Sequence, residues 1–191
     1  DRVVESGRGG IVHDRIDLFE PILLVRAVAP AGVRLTIISD TSALEVEADS
    51  SDRYADAEMT QWTFDLLVDG QLHQRITQPR DETLLRFDDI PADEHRLELW
   101  FDLMSPVRVK RVSIDPGASA KRFDDTRPKW ITYGSSITHC RRAYGPSETW
   151  PALVASRFNL NHTNLGYGGQ CHIEPIIAKM IRQLPADYIT M

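Results

Sequence analysis

The hydrophobic pattern changes period near residue 116, and one layer of secondary structure cannot accommodate both halves. From residue 22 to 115, short apolar or alternating runs recur between turn residues: ILLVRAVA (22–29), VRLTIIS (33–39), WTFDLLV (62–68), TLLRF (83–87), HRLELWFDL (95–103) and VRVKRVSI (107–114). Runs of this length and spacing predict strands. Between 63–68 and 71–76 stands Asp69-Gly70, a pair that supplies the positive φ angles of a tight hairpin turn. Arg96, Glu98 and Trp100 alternate with Leu97, Leu99 and Phe101, and Val107 and Val109 with Arg108 and Lys110. Such strands have one wet and one dry face. Residues 1–115 are therefore expected to form a β-sandwich, jelly-roll-like, without long helices.

Residues 116–128 begin and end in proline, with small and polar residues between, and are read as a linker. After them, helix and strand patterns alternate: strand at Trp130-Ile131-Thr132-Tyr133, helix over 149–158, strand over 160–165, helix over 174–184, and a strand beginning at Tyr188. Alternation predicts an open parallel sheet with helices on its faces, flavodoxin-like in class, over 129–191. Thr149 or Ser147 is placed to cap the first of these helices, with Pro151 in its first turn.

Charge divides at the same place. Residues 1–115 hold 13 Lys and Arg against 23 Asp and Glu, and residues 116–191 hold 9 against 5. The densest cationic cluster is Arg108, Lys110 and Arg111 with no aromatic interleaved, which argues against nucleic-acid binding. No apolar run approaches the ~18 residues of a membrane span. The opening residues lack the basic and apolar regions of a signal peptide, and compartment and oligomeric state stay open. Two cysteines, Cys140 and Cys171, show no zinc-ligand spacing. They lie a few residues beyond adjoining strands, where either a disulfide or two free buried thiols is compatible with the pattern.

In doubly wound sheets ligands sit at the carboxyl ends of the strands. There the chain places Gly134-Ser135-Ser136-Ile137-Thr138 after the first strand and Asn164-Leu165-Gly166-Tyr167-Gly168-Gly169 after the second. Glycine before serine permits a sharp strand-to-helix turn that lifts a hydroxyl out of the sheet beside backbone N–H groups. A Gly-Gly pair lets a main-chain N–H approach a developing oxyanion. Each feature alone is more often a simple turn. Together they resemble the first two blocks of the GDSL-type SGNH hydrolases, Gly-Asp-Ser-Ile-Thr and Asn-x-Gly-x-Ser-Gly. Ser135 stands where that family has Asp, and Gly168 where it has Ser.

The resemblance implies a serine esterase or acylhydrolase acting on a small-molecule or carbohydrate ester, with no metal or organic cofactor. It implies Ser136 as nucleophile and the N–H groups of Ser136 and Gly169 as oxyanion donors, with Ser135 turned away. By the same resemblance, a β-sandwich ahead of such a domain is similar to the arrangement of some carbohydrate esterases. The family's later blocks, Gly-x-Asn-Asp and Asp-x-x-His, supply its remaining oxyanion donor, its base and the base's partner. Neither occurs in these 191 residues, so the α/β part is expected to be incomplete and the chain inactive alone. His13, His73 and His95 lie away from both blocks, while His139, His162 and His172 read as polar residues satisfied locally. Adjacent Asp124-Asp125 read as solvated linker residues. Two other readings stay open: acyl transfer to an alcohol other than water, and a carbohydrate-binding or interaction module, which exposed Trp62 and Trp100 would favour.

Overall fold

The structure, a computed structural model, describes residues 4–7, 17–50 and 59–191. Two antiparallel sheets come first. One has the order β1 (Val4–Ser6), β2 (Arg34–Ser39), β7 (His95–Trp100), β4 (Gln61–Val68), β5 (Gln71–Pro79), and β9 (Ala120–Arg122) continues the outer edge of β2 beyond β1. The other has the order β6 (Leu84–Phe87), β3 (Leu44–Asp49), β8 (Arg108–Ile114). Their facing side chains form one buried cluster: Ile37, Trp62, Phe64, Leu66, Leu97 and Leu99 against Leu44, Val46, Ala48, Leu85 and Phe87. Full burial contributes roughly 1.5–3 kcal/mol for each large apolar side chain, so this cluster is the main stabilising contact between the sheets. Trp62 meets Phe64 edge-on at 5.1 Å.

The expected hairpin is present. Asp69 and Gly70 have φ of 50° and 82°, the pair of positive angles that matches strand twist. Strand β3 carries the period-2 pattern in full: Leu44, Val46 and Ala48 are buried, while Glu45, Glu47 and Asp49 face Arg108, Lys110 and Arg111. The cationic cluster of the sequence is thus paired across two strands.

Two expected elements are corrected. ILLVRAVA is not a strand: Pro21–Ala27 is a helix, α1, with proline in its first turn. Leu23 and Ala27, four residues apart, are its buried face, the spacing of a helical stripe. The stretch 116–128 is not only linker, because β9 lies within it and pairs with β2.

The third sheet is parallel, ordered β11 (Asn161–Gly166), β10 (Lys129–Gly134), β12 (Tyr188–Thr190). Its helices are α2 (Ser136–His139), α3 (Trp150–Arg157) and α4 (Pro175–Gln183). Thr149 caps α3, its hydroxyl accepting from Ala152 N at 3.3 Å, and Pro151 lies in the first turn. The core of this sheet joins Ile131, Tyr133, Leu165, Tyr167, Ile177 and Met180 to Phe19, Leu23 and Ala27. Helix α1 therefore packs on the parallel sheet although in the chain it lies between β1 and β2 of an antiparallel one.

Buried charges tie the layers together. Asp65 of β4 is fully buried and accepts from Arg75 at 2.6 and 3.0 Å and from the N–H and hydroxyl of Ser147 at 2.9 and 2.6 Å. Arg34 of β2 donates to the carbonyl of His162 at 3.2 Å and to Asn161 Oδ1 at 2.8 Å. Both sets are satisfied by several partners, as buried charges must be.

Candidate active site

Strands β10 and β11 run in register from Lys129 opposite Asn161 to Gly134 opposite Gly166. Their following loops consequently leave one edge side by side, with Ser136 and Gly169 a few residues beyond. Glycine at 166 has a steric cause: a Cβ there would lie 2.5 Å from the Thr138 carbonyl carbon and 2.7 Å from His139 Cα. Helix α2 folds back directly over the end of β11. Ser136 is the first residue of α2 and is exposed. The helix is a single turn, closed by Cys140 N–H donating to Ser136 O at 3.0 Å, and Cys140 ends it in the left-handed region.

Hydrogen bonds stitch the two loops together. Asn164 donates from Nδ2 to Thr138 O at 3.0 Å and accepts from Gly166 N–H at 2.7 Å. Tyr167 N–H donates to Gly134 O at 2.8 Å. His139, fully buried, bridges further: its Nε2 lies 2.7 Å from Leu103 O and its Nδ1 3.2 Å from Gly168 N. A carbonyl only accepts and an amide N–H only donates, so these partners fix the neutral tautomer with hydrogen on Nε2. Gly168 O accepts from Arg26 Nε of α1 at 3.1 Å.

Glu174 holds the far end of the second loop. Its Oε1 accepts from the N–H groups of Cys171 and His172 at 3.2 and 3.0 Å, and its Oε2 from the Tyr133 hydroxyl at 2.6 Å. Burial pushes this carboxyl up, but the Tyr133 hydroxyl and the backbone donors outweigh it and hold it below its ordinary value. Ile137 and Ile173, each 79% exposed, stand beside Ser136 and at the end of the second loop and give the edge an apolar rim.

Three other histidines are engaged elsewhere. His162 is buried at the opposite end of β11, its Nε2 2.9 Å from Thr132 Oγ1, and burial with the Arg34 charge lowers it to about 3. His73 Nε2 meets Asp88 O, and His95 Nδ1 meets Asp69. His172 is exposed, and His13 lies outside the described residues. Asp125 is not a solvated linker residue, because it forms a bidentate pair with Arg127 at 2.8 and 2.6 Å. Cys140 and Cys171 are free thiols, each half-buried rather than buried. Trp62 and Trp100 are buried, so neither offers the stacking surface that a sugar-binding face would use. Arg26, Tyr133 and Glu174 were not singled out from the sequence. For Arg26, the signal was a basic residue in the last turn of a helix whose run resembled a strand.

Residues 128–190 match the model of the GDSL-like lipase/acylhydrolase family. Among solved structures, the salicylyl-acyltransferase SsfX3 of a tetracycline biosynthetic pathway is similar over 98% of this chain and 58% of its own, with 29% identity and a TM-score of 0.87. A Bacteroides ovatus protein described as a GDSL-like lipase is similar over 98% of this chain and 61% of its own, at 18% identity and a TM-score of 0.81. The acetyl xylan esterase Est2A of Butyrivibrio proteoclasticus is similar over 88% and 47%, at 18% and 0.59. No curated protein sequence matches. The chain spans about three-fifths of the length of the first two structures. The similarity to the GDSL-like lipase/acylhydrolase family thus covers the last third of the chain, and mixed sheets with helices are the architecture the chain shares with these structures.

Proposed function

We propose that the edge formed by the 135–139 and 167–173 loops is the nucleophile and oxyanion side of a serine acyl-transfer site acting on an ester. The observation that carries this is the parallel register of Gly134 with Gly166, which brings the two blocks to one edge within the segment that matches the family. Ser136 Oγ attacks the ester carbonyl and forms the new C–O bond while its proton passes to a base. The carbonyl oxygen, now negative, accepts from Ser136 N–H and Gly169 N–H. Collapse expels the alcohol, which takes up a proton and leaves the acyl group on Ser136. Water then releases the acid. The family resemblance assigns the base and its partner to later blocks of the whole protein. His139 does not serve, since both its nitrogens are committed to Leu103 and Gly168. We read the two antiparallel sheets as a jelly-roll-like sandwich and the parallel sheet as part of a flavodoxin-like SGNH domain, with α1 lodged in the latter.

In the whole protein, Ser136→Ala is expected to abolish hydrolysis of p-nitrophenyl acetate while Ser135→Ala retains it. The reverse pattern would overturn the assignment. A second reading, transfer of the acyl group to an alcohol, is favoured by the 29% identity to a salicylyl-acyltransferase across almost the entire chain. Product analysis in the presence of an added alcohol separates the two, because transfer yields a new ester and hydrolysis the free acid.

A further inference from the structure

An oxyanion donor works only if its N–H is held in one direction. Gly169 is exposed, its φ is +76°, and no atom lies within 4 Å of where its Cβ would be. Packing against a side chain of its own therefore does not orient it. Its neighbour is also glycine, and a Gly-Gly peptide can flip between orientations that a Cβ would forbid. A flip would turn the N–H away from the edge and present a carbonyl oxygen, which repels an oxyanion.

The peptide joining Gly168 to Gly169 is planar and trans, so the Gly168 oxygen and the Gly169 hydrogen point in opposite directions. Whatever holds the oxygen aims the hydrogen. Arg26 Nε donates to that oxygen at 3.1 Å. The preceding peptide is held separately by Gly168 N–H donating to His139 Nδ1.

We propose that Arg26, on the helix contributed from the start of the chain, is a positioning residue for the oxyanion donor. By holding the Gly168 carbonyl it selects the peptide orientation that presents Gly169 N–H to the edge. The guanidinium does more than a neutral donor would, because a positive charge on the carbonyl polarises the same amide and strengthens its N–H as a donor. A charge-assisted hydrogen bond biases a two-state flip by about ten- to hundredfold. This proposal rests on reading Gly169 N–H as an oxyanion donor.

The test uses the whole protein and p-nitrophenyl acetate. Arg26→Ala is expected to lower kcat about tenfold or more with KM within about twofold, the split of a group acting on the transition state. Millimolar guanidinium chloride should restore part of the loss and sodium chloride none, and Arg26→Lys should be intermediate because it keeps the charge without the planar fork. A loss of stability alone would not respond to guanidinium. Unchanged kcat, or a rise in KM without a fall in kcat, overturns the proposal. NMR reads the clamp without reference to turnover: the Gly168 carbonyl-carbon resonance should move upfield in Arg26→Ala as the hydrogen bond it accepts is lost, and an unchanged resonance also overturns the proposal. Ser136→Ala is measured in parallel. Full activity in that variant would refute the nucleophile assignment, with the Gly168 carbonyl resonance still deciding whether Arg26 holds the loop.

Discussion

Gly166→Ala and Gly169→Ala differ by one methyl group at two glycines three residues apart, and the structure separates them sharply. At Gly166 the new Cβ would sit 2.5 Å from the Thr138 carbonyl carbon, where ordinary contact begins at 3.4 Å, so roughly an ångström of movement is needed. The obstructing atoms are backbone and cannot swing aside as a long side chain would. Overpacking of this kind costs about 1–3 kcal/mol, and a rigid backbone places the cost at the upper end. At Gly169 nothing obstructs the Cβ, and the cost is that of a left-handed φ for alanine, about 1 kcal/mol. For a domain of this size about 1 kcal/mol lowers Tm by about 2–4 °C. Gly166→Ala should therefore melt about 6–12 °C lower, and Gly169→Ala about 2–4 °C lower. The measurement is thermal unfolding by circular dichroism, repeated in urea to check that the m-value is unchanged. Because the Gly166 methyl group pushes on Thr138 and His139, it also displaces the turn that carries Ser136, and a misplacement of an ångström costs about a hundredfold in rate. Equal, small shifts for both variants would refute the reasoning, since the two loops would then not be in contact at Gly166.

Two further outcomes follow from named residues. The carboxyl of Glu174 is held below its ordinary value, so its contribution to stability is present above the unfolded carboxyl value and lost as pH falls through the folded one. Glu174→Gln should flatten the acid side of a Tm-versus-pH curve, and an unaltered acid side would refute the role given to Tyr133 and the 171–172 amides. The 191-residue chain by itself, without the blocks that the resemblance gives as base and third oxyanion donor, should hydrolyse p-nitrophenyl acetate orders of magnitude more slowly than the whole protein; comparable turnover would mean that a base within these residues had been passed over.

The elements that were legible in the sequence had a local cause. Asp69-Gly70 supplies its own turn geometry, and Thr149 with Pro151 marks a helix start without tertiary help. The two glycine blocks were legible because each is a strand end followed by a loop, and parallel pairing does the rest. Helix α1 was not legible. Its run of Ile22, Leu23, Leu24 and Val25 satisfies strand and helix patterns equally, and the choice is made by the parallel sheet on which Leu23 and Ala27 pack. Strand β3 was missed although Leu44, Val46 and Ala48 alternate with Glu45, Glu47 and Asp49, because acidic residues and alanine are poor strand formers and the pairing with Arg108, Lys110 and Arg111 that offsets their charge is not local. In the candidate site, the resemblance pointed to Ser136 and Gly169, whereas Arg26 reaches the second loop and Leu103 the first, through His139, from distant parts of the chain. Contacts of that separation leave no local pattern to read.

The central claim, that Ser136 is the acyl-accepting group on this edge, is tested most directly by trapping the acyl-enzyme. The whole protein is mixed with p-nitrophenyl acetate, quenched in acid within the first turnover, digested and sequenced by mass spectrometry. One acetyl group is expected on the peptide containing Ser136, localised to that residue and missing from Ser136→Ala. Acetyl on Ser135, or on a residue outside the 135–139 loop with Ser136 unmodified, would contradict it.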